Sequence, residues 1–198
     1  MPDVFARLPW SWLWSLSIVL VWLGVAHALG QPIPTQQHSL DLVRFGAFKG
    51  SDLTINETWR LIASQWLHVK FLHMLFNALI IGLVGQSLSG RFGATVMIGA
   101  GVIGGAAGQL AGALVMPDAY ISGASQAYLA LAGLALLTVS RRSVGWWAAL
   151  VGVLVAVSLD VFVSDHGWVK IGHAVPFAVG LLGGAVLRRP ASDQGNRH

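Results

Sequence analysis

Six long apolar stretches occupy most of this 198-residue chain, and they limit what it can fold into. A helix needs about 20 mostly apolar residues to cross the hydrocarbon core of a bilayer. Blocks of roughly that size lie at 12–29, 71–88, 93–116, 125–139, 144–163 and 172–187. Only 10% of the residues are charged, against about 25% in a soluble domain, and the mean hydropathy is +0.68. The sequence therefore predicts an all-α, multi-pass membrane protein in which residues 1–198 form one domain with six transmembrane helices.

The arginines orient these spans. Two of them, Arg44 and Arg60, lie in the long first connection. The others flank the apolar blocks at Arg7, Arg91, Arg141, Arg142, Arg188, Arg189 and Arg197. Because cytoplasmic loops carry an excess of Lys and Arg, both chain ends and the connections after the second and fourth spans are predicted to be cytoplasmic. The long connection 30–70 then lies on the outer side, where we expect short helices along the membrane surface. The short loops and this charge pattern favour a bacterial inner membrane as the location.

The first apolar block has a second interpretation. Together with Arg7 and the Ala-His-Ala triplet at 26–28, it resembles a signal peptide with its cleavage site. We favour an uncleaved span, because the block is long for a signal peptide and carries Trp10, Trp12 and Trp14 as an interfacial belt. Its removal would also leave an odd number of spans.

Glycines recur at four-residue spacing in the third and sixth apolar blocks. Examples are Gly104 and Gly108 in the third block, and Gly180 and Gly184 in the sixth. Small residues at this period let helix backbones approach closely within a membrane. We therefore predict that these two spans pack tightly in the bundle.

Polar side chains within or beside the apolar blocks are candidates for function, because burying them in a membrane is unfavourable. They are His68, His73, Asn77, Ser125, Asp160 and His173. On a helix, His73 and Asn77 share one face, since they are four residues apart. Two neutral donors on one face can stabilise the oxyanion of an acyl transfer, or can simply join two helices by a hydrogen bond. The pair by itself leaves both interpretations open.

A Gly-x-Ser sequence, Gly123 to Ser125, begins the fourth apolar block. Glycine permits an unusual turn there, and the free N–H groups of a helix start point towards whatever binds. Alone, such a serine is usually a helix cap. The predicted topology, however, places this serine in the outer half of the bilayer together with His173, His73 and Asn77. This group supplies a nucleophile, a base and oxyanion donors.

No cofactor and no metal centre are predicted. The chain has no cysteine, so a thiolate site is excluded. Its net charge of +4 is spread over the loops, so we expect the lipid bilayer as a partner and no nucleic acid. Asp160 lies near the outer end of the fifth block, where we expect it to reach water or to pair with Lys170.

In order and spacing, these features resemble the rhomboid family of intramembrane serine proteases. The resemblance extends over about two thirds of the chain, from Trp59 to Gly184. The matching features are Trp59-Arg60, the histidines and asparagine at 68, 73 and 77, the Gly-x-Ser at 123–125, and His173 with Gly180. The resemblance implies a bundle of six transmembrane helices that acts on transmembrane protein substrates.

The resemblance also implies a role for each site residue. Ser125 would be the nucleophile and His173 the general base, a dyad that needs no aspartate. His73 and Asn77 would donate hydrogen bonds to the oxyanion, together with the backbone N–H of the serine. The supporting residues would be His68 and Gly123.

Three positions depart from the family pattern. Gln126 stands where the family usually has glycine, Tyr128 replaces an aromatic residue expected one position later, and Pro176 replaces a small residue. The leading hypothesis is an intramembrane serine endopeptidase that cuts transmembrane segments. The departures at Gln126 and Pro176 motivate an alternative, an inactive rhomboid-like protein that binds transmembrane helices. A third hypothesis is a transporter that moves protons through Asp160, which proton flux into liposomes would test.

Overall fold

The computed structural model describes residues 9–164 and 167–188 of the chain. The α-helices of this described part are α1 (Trp10–Ala28), α2 (Ser39–Leu42), α3 (Arg60–Ala63), α4 (Phe71–Phe92), α5 (Ala94–Val115), α6 (Ser125–Thr138), α7 (Val144–Ser158) and α8 (Ile171–Leu187). A π-helical turn, Leu159–Val163, continues α7. Two short strands, β1 (Phe48–Lys49) and β2 (Tyr120–Ile121), pair antiparallel. The expected all-α architecture is confirmed.

The six predicted spans correspond to α1, α4, α5, α6, α8, and α7 with its π-turn. Four of these, all except α6 and α8, are long and apolar enough to cross a membrane by length and composition. The helices α6 and α8 are apolar but shorter, at 14 and 17 residues. Every residue of α6 from Ser125 to Ala135 is buried, because the other helices surround it. A helix enclosed in this way needs little lipid contact of its own, so it can be shorter than a lipid-facing helix.

The first helix is packed into the main hydrophobic core. Trp14, Ile18 and Trp22 of α1 are buried among residues of α4 and α6. The hydroxyl of Ser15 donates a hydrogen bond to the carbonyl of Ala78 on α4 at 2.6 Å. Removing α1 would expose this face of α4, so α1 belongs to the folded bundle. Of the arginines used for orientation, Arg7, Arg189 and Arg197 lie outside the described residues.

Close approach of α5, α6 and α8 brings the beginnings of α6 and α8 together. A Cβ added to Gly180 of α8 would overlap the carbonyl oxygen of Ala130 on α6. A Cβ on Gly108 of α5 would lie 2.7 Å from the carbonyl oxygen of Gly172. The tight packing expected from the glycine spacing is therefore confirmed, and it requires glycine because the facing atoms belong to the backbone.

Arg60 holds the long first connection together. Its Nη1 donates to the carbonyl oxygens of Val43 and Ala47 at 2.6 and 2.9 Å. Its guanidinium also pairs with Glu57 and lies 4.6 Å from the ring centroid of Trp59. The same connection supplies β1, whose partner β2 shortly precedes α6. The ordered connection therefore supports the start of α6, and its short helices α2 and α3 match the expectation.

Candidate active site

Ser125 and His173 come together at one end of the bundle. Ser125 is the first residue of α6, and His173 lies in the first turn of α8. The serine Oγ is 2.9 Å from His173 Nε2, which is a hydrogen-bond distance. Ser125 is buried, while 15% of the His173 side chain is exposed. This arrangement is suited to transfer of the hydroxyl proton to the imidazole.

Backbone hydrogen bonds fix the loop that precedes Ser125. Gly123 has a φ of +118°, which side chains rarely tolerate, and this explains the glycine of the Gly-x-Ser sequence. Its N–H donates to the carbonyl of Ser64 at 2.9 Å. Its carbonyl accepts from Nε2 of Gln109 at 3.1 Å. These contacts set the turn from which α6 begins.

His68 supports the same loop through a neutral imidazole. Burial lowers the pKa of His68 to about 3, so the ring is uncharged near neutral pH. The backbone N–H of Ala124 donates to His68 Nε2 at 3.1 Å, which makes this nitrogen an acceptor. The other ring nitrogen, Nδ1, then carries the proton and faces the carbonyl of Trp66 at 3.3 Å. His68 thus holds the residue just before Ser125.

His73 and Asn77 share a helix but reach different partners. Nδ2 of Asn77 lies 3.0 Å from His68 Nε2 and donates to it, because that nitrogen is an acceptor. Asn77 is fully buried. Among the described residues, His73 lines the cavity next to Ser125, whereas Asn77 is not part of that wall. On the common face predicted from their spacing, His73 is therefore a donor that lines the cavity, whereas Asn77 is directed at His68.

A cavity of about 500 Å³ opens beside the serine. Its polar and aromatic wall includes His73, Ser125, Tyr128, Asp160, His173, Lys70 and Lys170. A water molecule takes up about 30 Å³ of liquid, so this cavity has room for several waters. The serine is therefore buried among helices yet lies next to a space that water can enter.

Gln126 is accommodated by glycines on the neighbouring helices. Gly108 of α5 faces it so closely that a Cβ there would lie 2.9 Å from Cγ of Gln126. A Cβ on Gly172 of α8 would lie 3.9 Å from Nε2 of the same side chain. Oε1 of Gln126 is 3.1 Å from Ser125 Oγ, so it competes with His173 for the single hydroxyl proton of the serine.

The other two departures from the family pattern are also packed into the bundle. Pro176 is buried, and α8 continues through it from Ile171 to Leu187. The hydroxyl of Tyr128 donates to the carbonyl of Gly152 at 3.3 Å, and its ring meets Phe76 edge-on. Neither residue breaks the helix that carries it.

Asp160 makes a contact with His173 that the sequence did not predict. The expected pairing is present, with Lys170 Nζ 3.7 Å from Oδ1, and the carboxylate is buried at the wall of the cavity. Its Oδ2 accepts hydrogen bonds from Nδ1 of His173 at 2.7 Å and from the backbone N–H of Lys170 at 3.0 Å. A sequence signal exists, because Asp160 continues the buried small-residue face of α7. That face consists of Gly145, Ala148, Ala149, Gly152 and Ala156.

Comparison with known proteins decides the family. The family profile described as the Rhomboid domain matches residues 55–190. The chain belongs to the rhomboid family. The match covers α3 to α8 and includes every candidate site residue, whereas α1 precedes it. The helical bundle is accordingly a rhomboid bundle.

Three relatives illustrate the similarity of this rhomboid to known members. It is 30% identical over 146 residues to RHOMBOID-like protein 6, mitochondrial, of Arabidopsis thaliana, which covers 69% of this chain and 46% of that protein. It is 29% identical over 166 residues to Rhomboid-like protease 2 of Toxoplasma gondii, covering 78% and 55%. It is 28% identical over 157 residues to RHOMBOID-like protein 7 of Arabidopsis thaliana, covering 75% and 49%. The rhomboid chain thus spans about half the length of these relatives.

Family membership and the apolar helices make this rhomboid an integral, multi-pass membrane protein. The three relatives come from a plant and an apicomplexan. They therefore give no support to the bacterial inner membrane expected from the loops and charges.

Proposed function

We propose that this rhomboid is a serine-type endopeptidase that cleaves transmembrane segments of other membrane proteins. Ser125 is the nucleophile and His173 is the general base. The observation that carries the proposal is the 2.9 Å distance between Ser125 Oγ and His173 Nε2. The matched Rhomboid domain supports the same class of reaction, as does the similarity to a relative named a protease.

The reaction proceeds through four proton transfers, all to or from one imidazole. Ser125 Oγ attacks the carbonyl carbon of the scissile bond while its proton moves to His173 Nε2, and the carbonyl electron pair moves onto oxygen. When this oxyanion collapses, the C–N bond breaks and Nε2 gives its proton to the leaving amine. A water molecule, deprotonated by Nε2, then attacks the acyl-enzyme. The tetrahedral intermediate formed in this way collapses, which releases the carboxyl product, and His173 returns the proton to Ser125 Oγ.

The oxyanion receives hydrogen bonds from the same end of the bundle. His73 lines the cavity beside Ser125, and the backbone N–H of Ser125 belongs to the unpaired first turn of α6. Asn77 donates one N–H of Nδ2 to His68, which leaves its second N–H as a further donor. Asn77 acts either as a donor to the oxyanion or by holding His68. Turnover and thermal stability of the His73→Ala and Asn77→Ala variants separate these roles.

The cavity limits which substrate bonds can react. Peptide bonds within a regular helix are shielded by their own hydrogen bonds, so a substrate must unwind locally before its carbonyl reaches Ser125. Small or helix-breaking residues lower the free energy of that unwinding. We therefore expect cleavage near one end of a substrate transmembrane segment, at a position with such residues.

The site lies at the end of the bundle remote from Arg91, Arg141, Arg142 and Arg188. Both α6 and α8 begin at the site, and they end close to Arg141 and Arg188. By the distribution of positive charge, the cavity opens on the side away from the cytoplasm. Cleavage would then take place in the outer half of the membrane.

One observation favours a second function, a rhomboid-like protein that binds transmembrane helices without cutting them. The side chain of Gln126 offers Oε1 to the hydroxyl of Ser125 at 3.1 Å. While the hydroxyl of Ser125 donates its hydrogen bond to this oxygen, its proton is not directed at His173 and is not transferred to it. In that case the cavity would hold a helix segment without reacting.

Cleavage and active-site labelling distinguish the two functions. The purified protein is incubated in proteoliposomes with a model transmembrane substrate and, separately, with a fluorophosphonate probe. We expect cleavage and labelling by the unmodified protein, and loss of cleavage in Ser125→Ala and His173→Ala, because nucleophile and base act as one unit. The matched controls Ser51→Ala and His38→Ala, at exposed positions, retain cleavage. Cleavage by folded Ser125→Ala would overturn the proposal, and binding without labelling or cleavage would favour the second function.

A further inference from the structure

Asp160 is a buried carboxylate that the mechanism above does not use. We propose that Asp160 is a positioning residue for His173, so that this site works as a Ser–His–Asp triad and not as a dyad. The inference rests on the proposed function, because it assigns His173 as the base. It departs from the dyad that the family resemblance implied.

The two nitrogens of His173 face opposite partners. Nε2 lies 2.9 Å from Ser125 Oγ, and Nδ1 lies 2.7 Å from Oδ2 of Asp160. A carboxylate only accepts hydrogen bonds, so Nδ1 must carry the proton and Nε2 must be the acceptor. This is the tautomer that a general base at Nε2 requires. Asp160 therefore selects both the tautomer and the orientation of the ring.

The backbone around Asp160 aims its carboxylate before any substrate arrives. The end of α7 widens into a π-turn, in which the N–H of Ser164 donates to the carbonyl of Leu159 at 2.9 Å. Such turns are often found at functional sites. The N–H of Lys170 donates to the same oxygen, Oδ2, that accepts from His173. A hydrogen bond from a second segment thus holds the carboxylate independently of the imidazole.

The charges around the site give Asp160 a second effect. Among the described residues that line the cavity, Asp160 is the acid, and the basic groups are Lys70, His73, Lys170 and His173. When Ser125 transfers its proton, a positive charge appears on His173 next to these basic groups. A carboxylate in contact with the ring stabilises that charge, and its effect is larger in a partly buried site than in water. Asp160 therefore favours the proton transfer as well as the ring orientation.

The alternative is that Asp160 only ties α7 to α8 through Lys170 and His173. A purely structural role changes the amount of folded protein. It does not change how the rate of folded protein depends on pH. The two roles can therefore be separated by measuring kcat, KM and the pH profile on samples whose folded fraction is known.

The main test is Asp160→Asn, measured with the same model substrate. The amide oxygen can still accept from the N–H of Lys170, so the change removes mainly the charge. We expect kcat to fall by about 10- to 100-fold with little change in KM. This loss is smaller than the loss in kcat of about 10⁴ that occurs when an Asp-to-Asn change leaves the histidine of a triad in the wrong tautomer. Without the negative charge the protonated ring is less stable, so the acidic limb of the pH profile moves to lower pH. Asp160→Ala, which also removes the acceptor, should lose more.

Two further variants keep the test decisive. Asp118→Asn makes the same chemical change at an exposed residue paired with Lys49, and it should match the unmodified protein. Asp160→Glu keeps the charge, so the acidic limb of its pH profile should be that of the unmodified protein. Its kcat should also exceed that of Asp160→Ala. This comparison remains informative even if Asp160→Asn folds poorly.

The outcomes separate this inference from the proposed function. If Asp160→Asn has the kcat and pH profile of the unmodified protein while Ser125→Ala is inactive, the triad is overturned and the endopeptidase stands. The triad is also overturned if kcat falls only in proportion to the folded fraction with an unchanged acidic limb. If the unmodified protein neither cleaves nor is labelled, the proposed function fails and the role of Asp160 fails with it.

Discussion

His73 and Asn77 lie about one helical turn apart on α4, but their side chains have different environments. His73 borders the cavity, whereas Asn77 is fully buried and donates to His68. His68 in turn accepts from the N–H of Ala124, the residue before Ser125. At the residue scale, this difference predicts different consequences of removing each side chain.

We expect His73→Ala to slow turnover more than Asn77→Ala. Loss of a donor to an oxyanion reduces the rate by about 10²–10³ where the site is well formed, and His73 borders the reacting group. Asn77→Ala should slow turnover about tenfold, because other donors remain, and should lower the melting temperature through loss of the bond to His68. Turnover and thermal stability are measured on the same purified samples.

The result for Asn77 separates its two possible roles. If Asn77→Ala has the turnover of His73→Ala and an unchanged melting temperature, Asn77 acts at the oxyanion. A destabilised variant with unchanged turnover per folded molecule would remove it from the site.

The sequence was more informative about which residues meet than about where they point. Ser125 and His173 could be paired from a short motif and the predicted topology, because helix ends on one side of a membrane converge. The direction of Asn77 depends on the tautomer of His68, which a distant backbone group, the N–H of Ala124, determines. The contact between Asp160 and His173 depends on how the end of α7 meets α8. The small-residue face of α7 indicates that Asp160 is buried, but no local pattern identifies the residue that Asn77 or Asp160 contacts.

Packing between α6 and α8 sets the site geometry at the scale of elements. Gly180 faces the backbone of Ala130 without room for a side chain, whereas a Cβ on Gly183 would meet nothing within 4 Å. Gly180→Ala must therefore separate the two helices that carry Ser125 and His173. We expect it to lower the unfolding free energy by about 1–3 kcal/mol and to reduce turnover of the remaining folded protein.

Gly183→Ala is the matched control, since it makes the same change one turn away on the same helix. It should leave turnover unchanged and leave stability unchanged or slightly raised, because alanine favours a helix more than glycine does. Stability is followed by melting in detergent and turnover by substrate cleavage. Equal behaviour of the two variants would contradict the packing argument.

Hydropathy located the helices well and their ends less well. The second span was predicted at 71–88, but α4 continues to Phe92 through Ser89, Gly90 and Arg91, which extend the helix without adding hydropathy. It ends where Gly93 adopts a φ of +85°, which a run of apolar residues cannot reveal. The π-turn after α7 is likewise invisible to hydropathy, because four of its five residues are as apolar as the helix before them.

For the whole molecule, the charge distribution predicts an orientation that reporter fusions can measure. A reporter fused after residue 198 should be cytoplasmic, and one inserted near Gly50 should be external, because the arginine-rich connections remain inside. Gly50 lies in the first connection, on the same side of the bundle as β1 and β2. Accessibility to a membrane-impermeant reagent reads out each position.

Reversed reporters would contradict this orientation and place the opening of the cavity on the cytoplasmic side. The contact between Ser125 and His173 would be unaffected, but the substrate end expected to be cut would change. A reporter at residue 139, between α6 and the arginine pair, is a positive control that should be cytoplasmic.

The brevity of α6 makes the depth of the serine depend on the surrounding lipid. Fourteen residues at a rise of 1.5 Å each span about 21 Å, while the hydrocarbon layer is about 30 Å thick. If the Arg141 end of α6 is anchored at the inner headgroups, Ser125 sits about 9 Å below the outer edge of that layer. Longer acyl chains submerge it further and shorter ones raise it. Under the proposed function, bilayer thickness therefore determines which bond of a substrate helix lies at the depth of the Ser125 hydroxyl.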